Sequence, residues 1–189
     1  MRILHVAVLE ERLTYDGQQL GALWAFRTLG LQGDSIVGFR GPCVVEGDRL
    51  VDLADARTGA RIYSPDMLHL VVEHFHPDLE KAVLCQRLLV ALVGELLARR
   101  GCAVTRRGDD LFHGERKLSV SVATVSRVSA LIHLGLNVDA AGAPVPAVGL
   151  LQMGFAEGEL LEFCRTVCES YARELEEIYL ARCKVRAVD

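Results

Sequence analysis

The sequence predicts an α+β protein with a mixed, largely antiparallel sheet flanked by helices, and three observations carry that expectation. Strand-like and helix-like segments are mixed without the regular alternation that builds a doubly wound sheet. Residues 110–138 read as a compact β unit, with turns at His113-Gly114-Glu115 and from Ser126 to Ser129. The last element instead repeats Leu160, Cys164, Val167, Tyr171, Leu175 and Ile178 at steps of three and four, one buried helical stripe.

Taken in order, residues 2–9 read as a strand and 16–28 as a helix with Asp16 as its N-cap. Short strands follow near 34–39, 42–46 and 49–53, separated by Gly38, Gly41-Pro42 and Gly47-Asp48. The turn-prone segment Ala54 to Asp66 leads to an apolar strand from Met67 to Phe75, where Glu73 reads as an exposed strand residue. Pro77 suits the first turn of a long helix through about Arg99. Leu88, Leu89, Val90, Leu92, Val93, Leu96 and Leu97 make that helix apolar nearly all round, so it should be heavily buried. Gly101 closes it and a strand follows near 102–106. With 189 residues and no repeat, linker or low-complexity segment, residues 1–189 read as one domain.

The bulk numbers exclude several roles. A formal net charge of −4, with basic residues scattered or beside acids, argues against nucleic-acid binding. The densest basic stretch, Arg99-Arg100 with Arg106-Arg107, reads as a solvated helix end and loop. Six cysteines form no C-x-x-C pair and no signal peptide precedes them, which fits reduced thiols in a cytoplasmic protein. Cys164 and Cys168 sit on the apolar helical stripe and read as buried thiols rather than metal ligands. The longest apolar stretch, Leu88 to Ala98, is broken by Glu95 and is too short to span a bilayer. There is no G-x-x-x-x-G-K-[ST], G-x-G-x-x-G or H-E-x-x-H. His74 and His76 would share a strand face, but a metal site there lacks an evident third ligand.

The informative stretch is Arg116 to Val138. By strand alternation, Lys117, Ser119, Ser121 and Ala123 share one face and Leu118, Val120 and Val122 the other. In the next strand His133, Gly135 and Asn137 oppose Ile132, Leu134, Leu136 and Val138. An outer face in water usually carries long charged residues. Small ones leave space, and a lysine beside that space can hold an anion. Two readings stay open on pattern alone: a ligand site around Lys117, or two antiparallel strands with an ordinary wet side.

The segment resembles the catalytic lysine region of lipoate–protein ligases, octanoyltransferases and biotin–protein ligases. The resemblance rests on Arg107-Gly108-Asp109-Asp110-Leu111, Arg116-Lys117-Leu118-Ser119, Ser126-Arg127-Val128 and His133-Leu134-Gly135-Leu136-Asn137-Val138. Upstream, Arg57-Thr58-Gly59-Ala60-Arg61-Ile62-Tyr63 lies where those ligases carry a glycine-rich loop. Closer still, Tyr15-Asp16-Gly17, Gly38-Phe39-Arg40-Gly41-Pro42-Cys43 and Met67-Leu68-His69 are similar to an uncharacterised family, domain of unknown function 366.

The resemblance implies a lipoate/biotin-ligase catalytic fold with Lys117 as the catalytic cation. It implies an acyl or adenylate pocket lined by Arg57, Gly59, Arg61 and Tyr63 and bordered by Ser119, Ser121, His133, Gly135 and Asn137. It places Asp110 beside the nucleotide and implies ATP and Mg2+ as cofactors. Each residue also has a plain structural role open to it. Asp110 can cap a turn, His133 can pack in a core and Asn137 can end a strand.

Three departures matter. The glycine loop is reduced to Gly59-Ala60-Arg61, which limits backbone approach to phosphate unless Arg61 supplies a charged fork instead. Where octanoyltransferases carry a nucleophilic cysteine, this chain has Pro146-Ala147-Val148-Gly149, so thioester exchange there is not expected. There is also no room for the accessory domain of several lipoate ligases.

The expected function is therefore an ATP-dependent ligase, or a related acyltransferase, acting on a small carboxylic acid of the lipoate, octanoate or biotin kind. Its acceptor would be a lysine on a carrier or lipoyl-type protein domain. The alternative is a catalytically inactive small-molecule or nucleotide-binding protein that keeps the fold. A third reading makes the polar strand face a contact between copies in a homo-oligomer. Distant kinship of the fold with class II tRNA synthetases raises a tRNA question, which the charge balance does not support.

Overall fold

The computed structural model describes residues 4–59 and 61–188. Ala60 and the first two residues of the strand expected at 2–9 lie outside them. Strands β1 (His5–Val8), β2 (Ser35–Val45) and β3 (Ile62–His74) are followed by a long helix and a small three-stranded sheet. That small sheet comprises β4 (Thr105–Arg107), β5 (Asp110–His113) and β6 (Arg116–Lys117). Then come β7 (Ser119–Val125) and β8 (Ala130–Asp139). The main sheet has the order β1-β2-β3-β8-β7. Only β1 with β2 is parallel, and the other pairs are antiparallel. The α+β expectation and the mixed, mostly antiparallel sheet are both found.

Four α-helices stand among the described residues: α1 (Trp24–Leu29), α2 (Leu53–Thr58), α3 (Leu79–Arg99) and α4 (Leu160–Arg182). Helix α3 runs to Arg99 as expected, but Pro77 stands just outside its first turn, before the N-cap Asp78, whose side chain accepts from Lys81 N and satisfies an orphan donor. Helices α3 and α4 cover one face of the sheet. There Leu68, Leu70 and Val72 of β3 and Ile132, Leu134 and Leu136 of β8 pack against Leu89, Val93, Val167 and Tyr171. Each such side chain contributes about 1.5–3 kcal/mol by leaving water. The opposite face holds a second cluster, with Val37, Phe39, Cys43, Met67 and Val71 under Tyr15, Ala25 and Leu50. The segment that covers it is mostly irregular, and a cleft stays open beside it.

Five local expectations are corrected. The helix expected at 16–28 is only a 3-10 turn, Gln18–Leu20, and the short α1, because Gly17 at φ 91° and Gly21 interrupt it. Asp16 accepts from Gln18 N at 3.1 Å, so it caps the turn. The strands expected at 34–39 and 42–46 are one strand, β2, carried through a register shift between Gly41 and Cys43. The strand expected at 49–53 is absent, replaced by a 3-10 turn and the start of α2. Ile178 is exposed, since the buried stripe of α4 ends at Tyr171 and the helix then runs past the sheet.

Glu73 is the fifth correction: it is buried. Its carboxylate accepts from the Ser129 hydroxyl at 2.7 Å and from Leu23 N at 2.8 Å. Both nitrogens of His74 are occupied, Nδ1 with Asp34 at 2.9 Å and Nε2 with the Tyr171 hydroxyl at 2.9 Å, while His76 stacks on its ring. Among the described residues no group of three or more His, Cys, Asp or Glu is arranged to hold a metal. No described helix is long and apolar enough to cross a membrane.

Candidate functional site

A cleft of about 470 Å³ opens on the sheet face away from α3 and α4. At its charged end, the Lys117 ammonium lies 2.7 Å from Asp110 Oδ2, both side chains less than a third exposed. The backbone of Lys117 is fixed on two sides. Its N–H donates to Pro146 O at 2.9 Å and its carbonyl accepts from Val148 N at 3.0 Å and Asn137 Nδ2 at 3.3 Å. Arg49, Arg61, Asp52 and Asp109 line the same cleft. Arg61 lies 3.5 Å from a Glu46 oxygen and 5.0 Å above the Tyr63 ring, which leaves a guanidinium at the rim rather than a glycine backbone. Arg49 is held by Asp16 at 2.6 Å.

The alternation expected for Lys117 to Ala123 does not hold, and the reason is local. The chain breaks out of strand pairing at Leu118, whose N–H bonds Leu111 O while its carbonyl accepts from Asn137 N. Leu118 turns into the main core, and the parity of every later residue shifts. Lys117 therefore shares the cleft with Val120 and Val122, not with Ser119 and Ala123. Ser119 is fully buried, and its Oγ accepts from Leu111 N at 2.8 Å. Ser121 reaches the cleft edge, but its Oγ accepts from Gln86 Nε2 at 2.7 Å and donates to Asp109 O at 3.0 Å. The face imagined as an outward contact between copies is thus used inside the chain.

In β8 the alternation is as expected, and His133 and Asn137 line the cleft. Gly135 lies between them but leaves no free room. A Cβ there would meet Met67 Cε at 2.8 Å and Val120 Cγ2 at 3.3 Å. Tyr63 and Arg61 also line the cleft, whereas Arg57 and Gly59 are exposed outside its lining, at the end of α2 and just beyond it. Gly59 is left-handed, at φ 63°, and ends that helix as a C-cap residue does.

Of the floor residues, only His133 is placed at the site by sequence. Tyr15 lies flat on His133, ring centroids 3.7 Å apart and 7° from parallel. His133 Nε2 is 3.0 Å from His69 Nδ1, and His69 Nε2 is 3.1 Å from Gly41 O. Burial drives His69 down to about 4, and burial with its neighbour His69 puts His133 well below the usual imidazole value. Burial likewise raises the Tyr15 phenol, further helped by Cys43 and Asp16. Cys43 lines the cleft, but burial pushes its thiol up to about 12, which removes thiolate character at neutral pH. The signal for this floor was in the sequence: Tyr15, Gly41, Cys43 and His69 all come from the three short motifs similar to domain of unknown function 366.

The sheet, its covering helices and the cleft together have the lipoate/biotin–protein ligase fold. The biotin protein ligase from Aquifex aeolicus in complex with biotin and ATP superposes with a TM-score of 0.62 at 14% identity, covering 92% of this chain and 72% of that one. At that identity the likeness shows the fold alone. The chain itself belongs to the family Domain of unknown function (DUF366), whose model matches residues 4–186. An uncharacterized protein of Methanocaldococcus jannaschii is 38% identical over 181 residues, which is 93% of this chain and 81% of that protein. A protein of unknown function from "Pyrococcus horikoshi" has a TM-score of 0.92 at 40% identity, covering 98% of this chain and all of that one.

Proposed function

We propose that the protein activates a small carboxylic acid of the lipoate, octanoate or biotin kind and passes the acyl group to a lysine of a carrier or lipoyl-type protein domain. The observation that carries the reading is the Lys117 ammonium, backed by Asp110 at 2.7 Å, in a cleft that also has the apolar wall of Val45, Leu50, Val120 and Val122. A carboxylate entering from the apolar side meets a fixed cation whose orientation is already set. Such a preorganised charge lowers the energy of developing negative charge more than a mobile one would. Lysine suits this as a compact point charge.

The donor set also fits a nucleotide with Mg2+. Arg49, Arg61 and Lys117 are three cations around one cleft for phosphate oxygens. Asp109 and Asp110 offer carboxylates of the kind that complete a magnesium shell together with phosphates and water. ATP would supply the activation of the carboxylate. The residues would hold the phosphates, neutralise the carboxylate and exclude water along the apolar wall of Val45, Leu50 and Val120. Cys43 takes no nucleophilic role, because its thiol stays protonated.

Pyrophosphate exchange by the purified protein across lipoate, octanoate and biotin tests the proposal. Exchange with one acid, abolished in Lys117→Ala, is the expected result. No exchange with any of them, or full exchange in the variant, overturns it. The reading of a binding protein without turnover draws on Arg57 and Gly59 lying off the cleft. Thermal stabilisation by ATP or acid without product would favour it.

A further inference from the structure

We infer that the His133–Tyr15 floor selects, among carboxylic acids, one whose far end carries an N–H or O–H hydrogen-bond donor. The inference deepens the proposed function, since it rests on a carboxylate held at the Lys117 end.

The argument is a chain of forced proton positions. A carbonyl oxygen only accepts, so His69 Nε2, 3.1 Å from Gly41 O, carries the proton. His69 is neutral at pH 7, being buried with a value of about 4, so its Nδ1 is bare. His133 Nε2 lies 3.0 Å from that bare nitrogen and must donate to it. His133 is neutral too, which leaves its own Nδ1 as a lone pair.

No described residue hydrogen-bonds to this lone pair. Nor is the atom sealed in: the fully enclosed, unpaired side-chain atoms among the described residues are His76 Nδ1 and Arg87 Nε. His133 lines the cleft, so the acceptor opens onto it. Tyr15, stacked against the ring, lines the cleft as well, and its hydroxyl has no hydrogen-bond partner among the described residues. The chain therefore places a fixed acceptor, with a phenol beside it, among buried groups of a cleft lined by both polar and apolar side chains.

Position supplies the ligand's length. Asn137, whose amide touches the Lys117 carbonyl, and His133 are four residues apart on β8. Four strand residues span roughly 13 Å. Val45, Leu50, Val120 and Val122 line the cleft along with both ends. A ligand that satisfies every group has a carboxylate at one end, an apolar middle and a donor at the other end, and an eight-carbon chain is on the order of that strand span. A plain alkyl tail would strip water from the acceptor and give nothing back. It should therefore bind roughly 10- to 100-fold more weakly.

Titration calorimetry on the full chain with three probes of one length tests this: octanoate, the ω-amide of octanedioic acid and octanamide. The expected result is that the ω-amide acid binds at least about 10-fold tighter than octanoate in the wild type. His133→Phe, which keeps a ring but removes the acceptor, should bring the two acids to equal affinity. Lys117→Ala should weaken both acids and leave octanamide unchanged. Equal affinities in the wild type, or a preference that survives His133→Phe, would sink the inference while leaving the acid-binding reading intact. A His133-dependent preference for octanamide matched by no gain from the carboxylate would sink the acid-binding reading and keep the donor-selecting floor. No binding of any probe overturns both. Nitrogen-15 spectra of the wild-type histidines read the tautomers without any variant, and a protonated His133 Nδ1 would contradict the chain of donors directly.

Discussion

The Glu73 carboxylate holds the backbone of Leu23, accepting its N–H with both oxygens at 2.8 and 3.1 Å. Leu23 sits at φ 65°, a left-handed conformation that costs a residue with a Cβ about 1–2 kcal/mol. Glu73 thus pins the entry to α1 across the cleft-side face of the sheet, and the Ser129 hydroxyl shares the same oxygen at 2.7 Å. Glu73→Ala leaves the Leu23 N–H without an acceptor and the Ser129 hydroxyl with only Ser126 Oγ, 3.0 Å away. Urea unfolding should show a loss of about 2–4 kcal/mol. Adding Leu23→Gly to that variant should recover part of it, because glycine takes this conformation without strain.

Gly41→Ala is expected to be among the most damaging single changes. A Cβ at Gly41 would fall 2.1 Å from Leu13 O and 2.7 Å from Leu13 C, both backbone atoms that cannot step aside cheaply. Gly41 also offers the carbonyl that fixes the His69 tautomer. Chemical denaturation should show a loss of about 3 kcal/mol or more. Gly158→Ala, where a Cβ meets nothing within 4 Å, should stay within about 0.5 kcal/mol of the wild type.

Acid should weaken the fold through the floor. The folded-state value of His69 is about 4, depressed by burial below the ordinary 6.5, and that of His133 is depressed by burial and by His69. Below about pH 6.5 the unfolded chain then binds more protons than the folded one, so stability falls as pH falls. The loss attributable to His69 develops between pH 6.5 and 4 and reaches on the order of 3 kcal/mol at its lower end. Unfolding free energies across that window, in wild type and in His69→Gln, measure it. A flat difference between the two would contradict the assignment.

His74 has the opposite sign. Burial lowers its basicity, but the hydrogen bond from its Nδ1 to Asp34 and that carboxylate's charge outweigh burial and raise it to about 9. A raised folded-state value contributes stability that is complete below about pH 6.5 and fades as pH climbs through 9. The stability gap between the wild type and His74→Gln should accordingly shrink between pH 6.5 and 9.5.

Asp110→Asn tests how far Lys117 depends on its partner 2.7 Å away. The ammonium remains but loses its orienting charge. Pyrophosphate exchange should drop by about 10- to 100-fold, less than in Lys117→Ala.

Much of this architecture was legible in the chain. The turns at His113-Gly114-Glu115 and Ser126 to Ser129, the long α3 and the buried stripe of α4 up to Tyr171 followed from periodicity and turn chemistry. What failed did so where tertiary contacts override local pattern. Glu73 looked like a surface residue because no local rule announces a partner fifty residues away at Leu23. Ser119 and Ser121 looked like a cleft lining because strict alternation assumes an unbroken strand, and Leu118 breaks it. The floor is half legible: Tyr15, Gly41, Cys43 and His69 stand in family-like motifs, but sequence order cannot show that they converge under His133.

The discontinuity at Leu118 puts the two ends of the cleft on differently built parts that meet at Asn137 of β8. Lys117 rides on the small sheet and the strap at Pro146–Val148, while His133 and His69 are bolted into the central strands of the main sheet. Divergence can therefore retune what the protein grips at the bottom without disturbing the charge at the top.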